Sequence, residues 1–334
     1  MTKMNSRLPV TVFTGFLGSG KTTVLRHLLT ESKLVLAVMI NEFGSVGLDG
    51  DLIKTCDFCP EEDYEGRIVE LNNGCLCCTV QDDFLPTIKS LLSSKNKLDG
   101  IVIETSGLAL PRPLIKALEW PEIKSEVYLN AVVTLVDSEA LSNGSPVGDM
   151  LAIEKQREED DSLDHLTPVN DLFDNQLKAA DLVLMSRSDL ISNDLVKLVA
   201  KDLQDKVPKG TSVFPISNGV VEPSIILNFN KSNLPDTNSK TSIVEEHDHL
   251  DVFSDSLQIE IETDKLELEI VLTEISKTYQ LLRVKGRLWI KDKKLPLQIQ
   301  MVGRRITTWF EKAPPNCWRP QHGGLEIVVL SLKE

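Results

Sequence analysis

Residues 15–22 read GFLGSGKT, between the apolar run PVTVFT (9–14) and a helical pattern over 20–31 that sets Val24, Leu25, Leu28 and Leu29 on one face. This arrangement limits the fold sharply. The pattern G-x-x-x-x-G-K-[ST] works only where a strand feeds a tight glycine-rich turn and a helix starts directly after it. Backbone N–H groups of such a turn cradle phosphate oxygens, and the positive end of the following helix favours their charge. Gly15, Gly18, Ser19, Gly20, Lys21, Thr22 and Thr23 are therefore the expected nucleotide-binding residues. Lys21 is placed to reach the β- and γ-phosphates, and the Thr22 hydroxyl to ligate Mg2+. The expected fold is α/β: a P-loop NTPase with a mostly parallel sheet covered by helices.

The remaining pattern extends that expectation. Short β-branched runs at 34–40, 100–104, 131–137, 181–186 and 212–217 alternate with helical patterns at 81–94, 171–180 and 193–204. Such alternation predicts parallel strands joined by helices, with the ligand loops at the strand ends. Residues 228–249 (NFNKSNLPDTNSKTSIVEEHDH) are polar and have Phe229 as their one aromatic residue, which reads as a linker. Beyond them the order is a strand (257–262), a helix (264–279), and strands at 281–290, 296–302 and 325–331. The expected organisation is a P-loop domain at 1–227, a polar linker at 228–250 and a small C-terminal α+β domain at 251–334. No internal repeat is evident.

Phosphoryl transfer needs an acidic group near the metal and a sensor of the γ-phosphate. GIVIETSG (100–107) supplies a strand ending in Glu104, placed to act on Mg2+ or its water shell, with the Gly107 backbone as the sensor. The glycine-rich NEFGSVGLDG (41–50) follows the second strand and fits a switch that orders on nucleotide binding. Base recognition falls to Ser186-Arg187-Ser188-Asp189, where GTPases carry N-K-x-D. Asp189 is positioned to bind the guanine N1 and N2 hydrogens, and the Arg187 stem to stack on the base. The asparagine of that motif is absent, so one polar contact is changed or lost. Catalysis is thus assigned to Lys21 and Glu104, and base binding to Asp189.

Five of the six cysteines lie between Cys56 and Cys78, a density that in a reducing compartment points to metal or redox chemistry. NNGCLCCTV (72–80) carries Cys75, Cys77 and Cys78 just before a helical pattern. Thiolates are soft ligands suited to Zn2+, Co2+ or Cu(I), and a helix N-terminus favours their deprotonated form. Adjacent side chains diverge, so two of these thiolates with a further ligand form the more plausible set. Glu42, on the switch segment, is the candidate that would couple metal binding to nucleotide state. Cys56 and Cys59 form a C-x-x-C compatible with a structural zinc site. His247 and His249 fit solvated residues of an acidic tract, and His27, His165 and His322 receive no role.

A net charge of −14 argues against nucleic acid as the main partner. No run of about 18 apolar residues exists to span a membrane. MTKMNSRLP at the N-terminus lacks the apolar region of a secretory leader, so a cytoplasmic location is expected.

GFLGSGKTT, NEFG, the GCLCC loop and ETSGLA together resemble the CobW family of metal-handling P-loop GTPases. Relatives of that family include the urease and hydrogenase nickel-insertion GTPases and the nitrile hydratase activators. The resemblance extends to LLRVKGRLWI (281–290), similar to the family's C-terminal signature strands. CPEE (59–62), ETSGLALPRPLIKALEWPEIKS (104–125) and DSLDH (161–165) are similar to its cobalamin-biosynthesis branch. The resemblance implies GTP and Mg2+ at Gly15 to Thr23, Glu104 at the Walker B position, and Cys75, Cys77 and Cys78 as the metal motif with Glu42 nearby. It further implies GTP-dependent delivery of Co2+ or Zn2+ to a metal-receiving protein such as a cobaltochelatase, by a monomer or homodimer. Two other readings stand beside it. One is a nucleotide-regulated metal storage or sensing protein with little turnover. The other is a small-molecule kinase, in which the cysteine cluster has no role.

Overall fold

A computed structural model describes residues 7–40, 68–70, 84–93, 98–159, 167–227, 252–279, 281–314 and 317–332. The chain divides into two compact units, one of residues 1–208 with 213–228, the other of 209–212 with 229–334.

In the first unit seven strands form one sheet: β1 (Leu8–Thr14), β2 (Leu36–Ile40), β3 (Ile68–Glu70), β4 (Gly100–Glu104), β5 (Val127–Asp137), β6 (Leu182–Ser186) and β7 (Ser212–Pro215). Their order is β3-β2-β4-β1-β5-β6-β7, and the pairings from β3 through β6 are parallel. β1, which leads into GFLGSGKT, sits between β4 and β5. The helices are α1 (Lys21–Glu31), α2 (Leu85–Ser93), α3 (Pro111–Ala117), α4 (Ser138–Ser142), α5 (Met150–Glu159), α6 (Val169–Ala179), α7 (Asn193–Lys206) and α8 (Pro223–Ile226).

Helices on both faces explain why the strands read as continuous apolar runs rather than alternating ones. One core joins Val10 and Val12 of β1 and Ile101 and Ile103 of β4 to Ile88 of α2 and Leu114 of α3. A second joins Val136 of β5 and Val183 and Met185 of β6 to Leu172, Phe173 and Leu177 of α6 and Val199 and Leu203 of α7. In α1 the buried face is Val24, Leu25 and Leu28, whereas Leu29 is half-buried.

β5 begins four residues earlier than the expected 131. Asn130 interrupts its apolar run, yet it is 4% exposed. Its amide donates to Thr11 Oγ1 at 2.9 Å and to the Ile226 carbonyl at 2.8 Å. A polar residue so satisfied costs the strand little. β7 ends at Pro215 rather than 217, and β3, α3, α4, α5 and α8 were not anticipated.

The second unit is a five-stranded antiparallel sheet in the order β11-β10-β9-β12-β8. Its strands are β8 (Val252–Glu260), β9 (Leu281–Trp289), β10 (Leu297–Val302), β11 (Arg305–Phe310) and β12 (Gly324–Leu332), and α9 covers Lys265–Thr278. Asp264 caps α9, accepting from the Glu267 N–H at 2.9 Å. Leu268 and Leu272 of the helix pack on Val284, Leu288, Ile299 and Met301. On β9, Arg283, Lys285 and Arg287 alternate with those core residues. Arg287 pairs with Glu326 at 3.0 Å and Arg283 donates to Gln300 at 3.2 Å. Burial, with Arg283 and Arg287 beside it, pushes the Lys285 ammonium down to about 7. β11 was not expected, because RITTWF lacks a clean apolar alternation. Among the described residues no helix is long and apolar enough to cross a membrane.

Candidate nucleotide-binding site

The turn between β1 and α1 is built from backbone that L side chains rarely adopt, with φ of 132° at Gly15, 76° at Gly18 and 91° at Gly20. At Gly15 the requirement is also steric, because a methyl there would sit 2.3 Å from the Leu135 carbonyl oxygen of β5. Gly20 precedes α1 without a side-chain cap, so the first N–H groups of that helix stay directed at the turn. Lys21 folds back over it, its Nζ donating to the carbonyls of Gly15 at 2.9 Å and Phe16 at 3.1 Å. The ammonium is thereby held beside the cradle where phosphate oxygens would lie.

Thr22 and Glu104 meet across the sheet. The Thr22 hydroxyl donates to Glu104 Oε1 at 3.4 Å, and Glu104, at the end of β4, is almost fully buried. A hydroxyl and a carboxylate converging beside a phosphate cradle form an oxygen set suited to Mg2+. Three further hydroxyls of the adjoining turns, Thr14, Ser19 and Ser106, are buried without a hydrogen-bond partner among the described residues. Such orphaned groups fit a site whose polar partners arrive with a ligand. Thr23 is exposed on the first turn of α1.

The strand ends on this side are level. Ile40 of β2 is in register with Glu104 of β4 and with Glu70 of β3. Glu42 therefore lies two residues past the end of β2, and Cys75 five residues past the end of β3. Glu42, Cys75, Cys77 and Cys78 themselves lie outside the described residues, as do Cys56, Cys59, His165, His247 and His249. Cys317 is a free thiol. Among the described residues no group of three His, Cys, Asp or Glu side chains is placed to hold a metal.

At the far side of the turn, Arg187 adopts φ 54° and its guanidinium pairs with Asp137 at 2.5 Å. Asp137, at the end of β5, also caps α4 by accepting from the Ala140 N–H at 3.1 Å. Arg187 is thus anchored through its head, which leaves the stem as a wall rather than a mobile arm. Asp189 is exposed on the following 3₁₀ turn (Ser188–Leu190). Ser188 fixes that turn by donating to the Ile216 carbonyl at 2.8 Å. The loop after β7 completes this side. Gly219 lies against Thr23 of α1, and His27 Nε2 is 3.1 Å from the Val221 carbonyl.

Three participants escaped the sequence reading: Asp137, the 216–221 loop and Gln176 of α6. An Asp closing a strand candidate and a Ser-Asn-Gly turn after SVFP were signals for the first two. Gln176 donates to the Gly107 carbonyl from 69 positions away, and nothing local marks it.

A glycine turn between a central parallel strand and a helix, with a lysine folded over it and a hydroxyl–carboxylate pair beside it, defines a P-loop nucleotide-binding protein. Residues 9–214 match the family model "CobW/HypB/UreG, nucleotide-binding domain", and residues 254–334 match "Cobalamin synthesis protein cobW C-terminal domain". The chain belongs to the CobW/HypB/UreG family. It is 39% identical to a zinc chaperone CobW of Sinorhizobium sp, covering 98% of this chain and 94% of that one. It is 38% identical to a zinc chaperone CobW of Pseudomonas aeruginosa, covering 93% and 84% respectively. The crystal structure of the Zn(II)-bound YjiA GTPase from E. coli is similar at 22% identity and a TM-score of 0.42, over 98% of this chain and 95% of that one.

Proposed function

We propose that this chain is a GTP-hydrolysing metallochaperone that binds a divalent transition metal in a GTP-dependent way and hands it to a metal-receiving protein. The observation that carries the reading is the level ending of β2, β3 and β4. It starts the segment bearing Glu42 from the strand end beside Glu104, and the segment bearing Cys75, Cys77 and Cys78 from the next strand end over, on the side where the terminal phosphate would be read.

In the proposed reaction Gly15 to Thr23 hold the triphosphate, and Lys21 exchanges its carbonyl partners for β- and γ-phosphoryl oxygens. Thr22 and Glu104 would hold Mg2+, which supplies charge neutralisation between the β- and γ-phosphates. Glu104 orients the water shell on the γ-phosphate side. Asp189 accepts the guanine N1 and N2 hydrogens, with the Arg187 stem as the wall of the base site. Catalysis is then positioning plus electrostatic stabilisation. Hydrolysis loosens Glu42 from the cysteines and releases the cargo.

The names of the two CobW relatives favour Zn2+ as that cargo. The cobalamin-synthesis description of the C-terminal family model favours Co2+ passed to a cobaltochelatase as a second reading. The test is titration of Zn2+ and of Co2+ into the protein with Mg2+ and a non-hydrolysable GTP analogue, repeated with GDP. Tighter binding in the triphosphate state, lost in Cys77→Ala, is expected, together with the visible absorption of tetrahedral thiolate-bound Co2+. Equal affinity in both nucleotide states would sink the reading. Metal-dependent binding without turnover would instead identify a storage or sensing protein.

A further inference from the structure

Gly107 lies so close to the phosphate loop that a methyl on it would sit 2.6 Å from the Leu17 nitrogen. The turn it belongs to is tied by two backbone bonds, one across to β1 from the Thr105 N–H to the Phe13 carbonyl at 2.9 Å, and one within the turn from the Ala109 N–H to the Ser106 carbonyl at 3.1 Å. The Gly107 carbonyl is held from elsewhere. It accepts from Gln176 Nε2 at 3.0 Å, an amide carried on α6. Gln176 is 1% exposed, and its own backbone carbonyl accepts from Thr134 Oγ1 of β5 at 3.3 Å. Its side-chain Oε1 has no hydrogen-bond partner among the described residues.

A buried primary amide that uses one half of its capacity is poor material for core stability, since an apolar side chain of the same shape would avoid the unmet acceptor. It is well suited to fixing one peptide. Glycine is the residue with the most backbone freedom to lose, and a clamp on its carbonyl sets the orientation of the backbone next to the phosphate loop. α6 has no freedom to follow unnoticed, because Leu172, Phe173 and Leu177 key it into the core.

The geometry points to Gln176 as a positioning residue: its amide holds the Gly107 peptide in the orientation that meets a terminal phosphoryl group, and so couples γ-phosphate occupancy to α6. The inference rests on the nucleotide-hydrolysis reading above. Gln176 touches neither phosphate nor metal and acts through Gly107.

The test uses the full chain and the variant Gln176→Met, which keeps the side-chain volume and removes the donor. Affinities for a non-hydrolysable GTP analogue and for GDP are measured by calorimetry with Mg2+, alongside phosphate release. The expected result is a loss of about tenfold for the triphosphate analogue, or about 1.4 kcal/mol, with GDP affinity held within about twofold and kcat reduced. Equal loss for both nucleotides marks a merely structural residue and overturns the inference, as does no loss for either. Amide exchange on the wild-type chain keeps the question open to refutation if the variant does not fold. Protection of residues 169–179 is expected to rise with the triphosphate analogue and not with GDP, and an unchanged α6 overturns the coupling. A wild-type chain that binds neither nucleotide removes the functional reading as well. A wild-type chain that hydrolyses GTP beside an unaltered Gln176→Met removes this inference alone.

Discussion

Replacing Lys21 by methionine separates what the lysine does for the loop from what it does for the nucleotide. In the free protein its ammonium donates to the Gly15 and Phe16 carbonyls at 2.9 and 3.1 Å. Hydrogen bonds to a charged group contribute about 1.5–3 kcal/mol each. Binding a triphosphate does not add this amount outright, because the phosphate contacts are exchanged for carbonyl contacts already made. The net loss of ground-state affinity in Lys21→Met is therefore about 1–3 kcal/mol, a Kd raised roughly 5- to 150-fold. Hydrolysis suffers more, since charge builds on the transferring oxygens only in the transition state. A fall in kcat of about 10²–10³ is expected, the scale for removing one preorganised donor. Calorimetry with a non-hydrolysable GTP analogue gives the first number and phosphate release under saturating GTP the second. If affinity and kcat both stay within about twofold of wild type, Lys21 does not reach the phosphates and the site has been read wrongly.

Other consequences can be measured separately. Asn130→Leu strips the donor from Thr11 Oγ1 and from the Ile226 carbonyl, costing about 2–4 kcal/mol and lowering the melting temperature of the nucleotide-binding unit by roughly 5–15 °C in a calorimetric scan. An unchanged scan would show that the buried amide contributes nothing. Lys285 titrates near 7 in the fold against an ordinary value of 10.5. Below pH 7 both folded and unfolded chains carry the proton and the full cost of burying it. Between about pH 7 and 10 the unfolded chain holds a proton that the folded one lacks, so stability rises with pH. Amide exchange in β9 should slow, relative to its intrinsic rate, from pH 6.5 to 9, and Lys285→Met should abolish that trend. A wild-type chain without the trend would mean that Lys285 stays charged when folded.

The parts of this fold written as local pattern were legible. GFLGSGKT announced its own strand, turn and helix, because the turn's glycines and the helix's spacing are enforced within about 20 residues. The alternation of apolar runs announced the parallel sheet. What long-range contacts decide was not legible. Asn130 hides the start of β5, since a partner 119 positions away makes it acceptable in a strand. RITTWF became β11 through pairing with β10 rather than through its own periodicity. The Arg187 anchor required Asp137, 50 positions earlier, to be level with Ser186, the residue before Arg187, at the neighbouring strand end. The proposed metal ligands Glu42, Cys75, Cys77 and Cys78 were read from motif, spacing and resemblance, and they lie outside the described residues.

The central place of β1 has a consequence for biosynthesis. Val10 pairs with Ile101 and Leu8 with Val127, partners made about 90 and 120 residues later. The phosphate loop leaves the ribosome well before β5, yet its floor, including the Leu135 carbonyl against Gly15, comes from β5. A nascent chain therefore carries its nucleotide signature long before it can bind a nucleotide, and loading waits until the sheet has closed around β1.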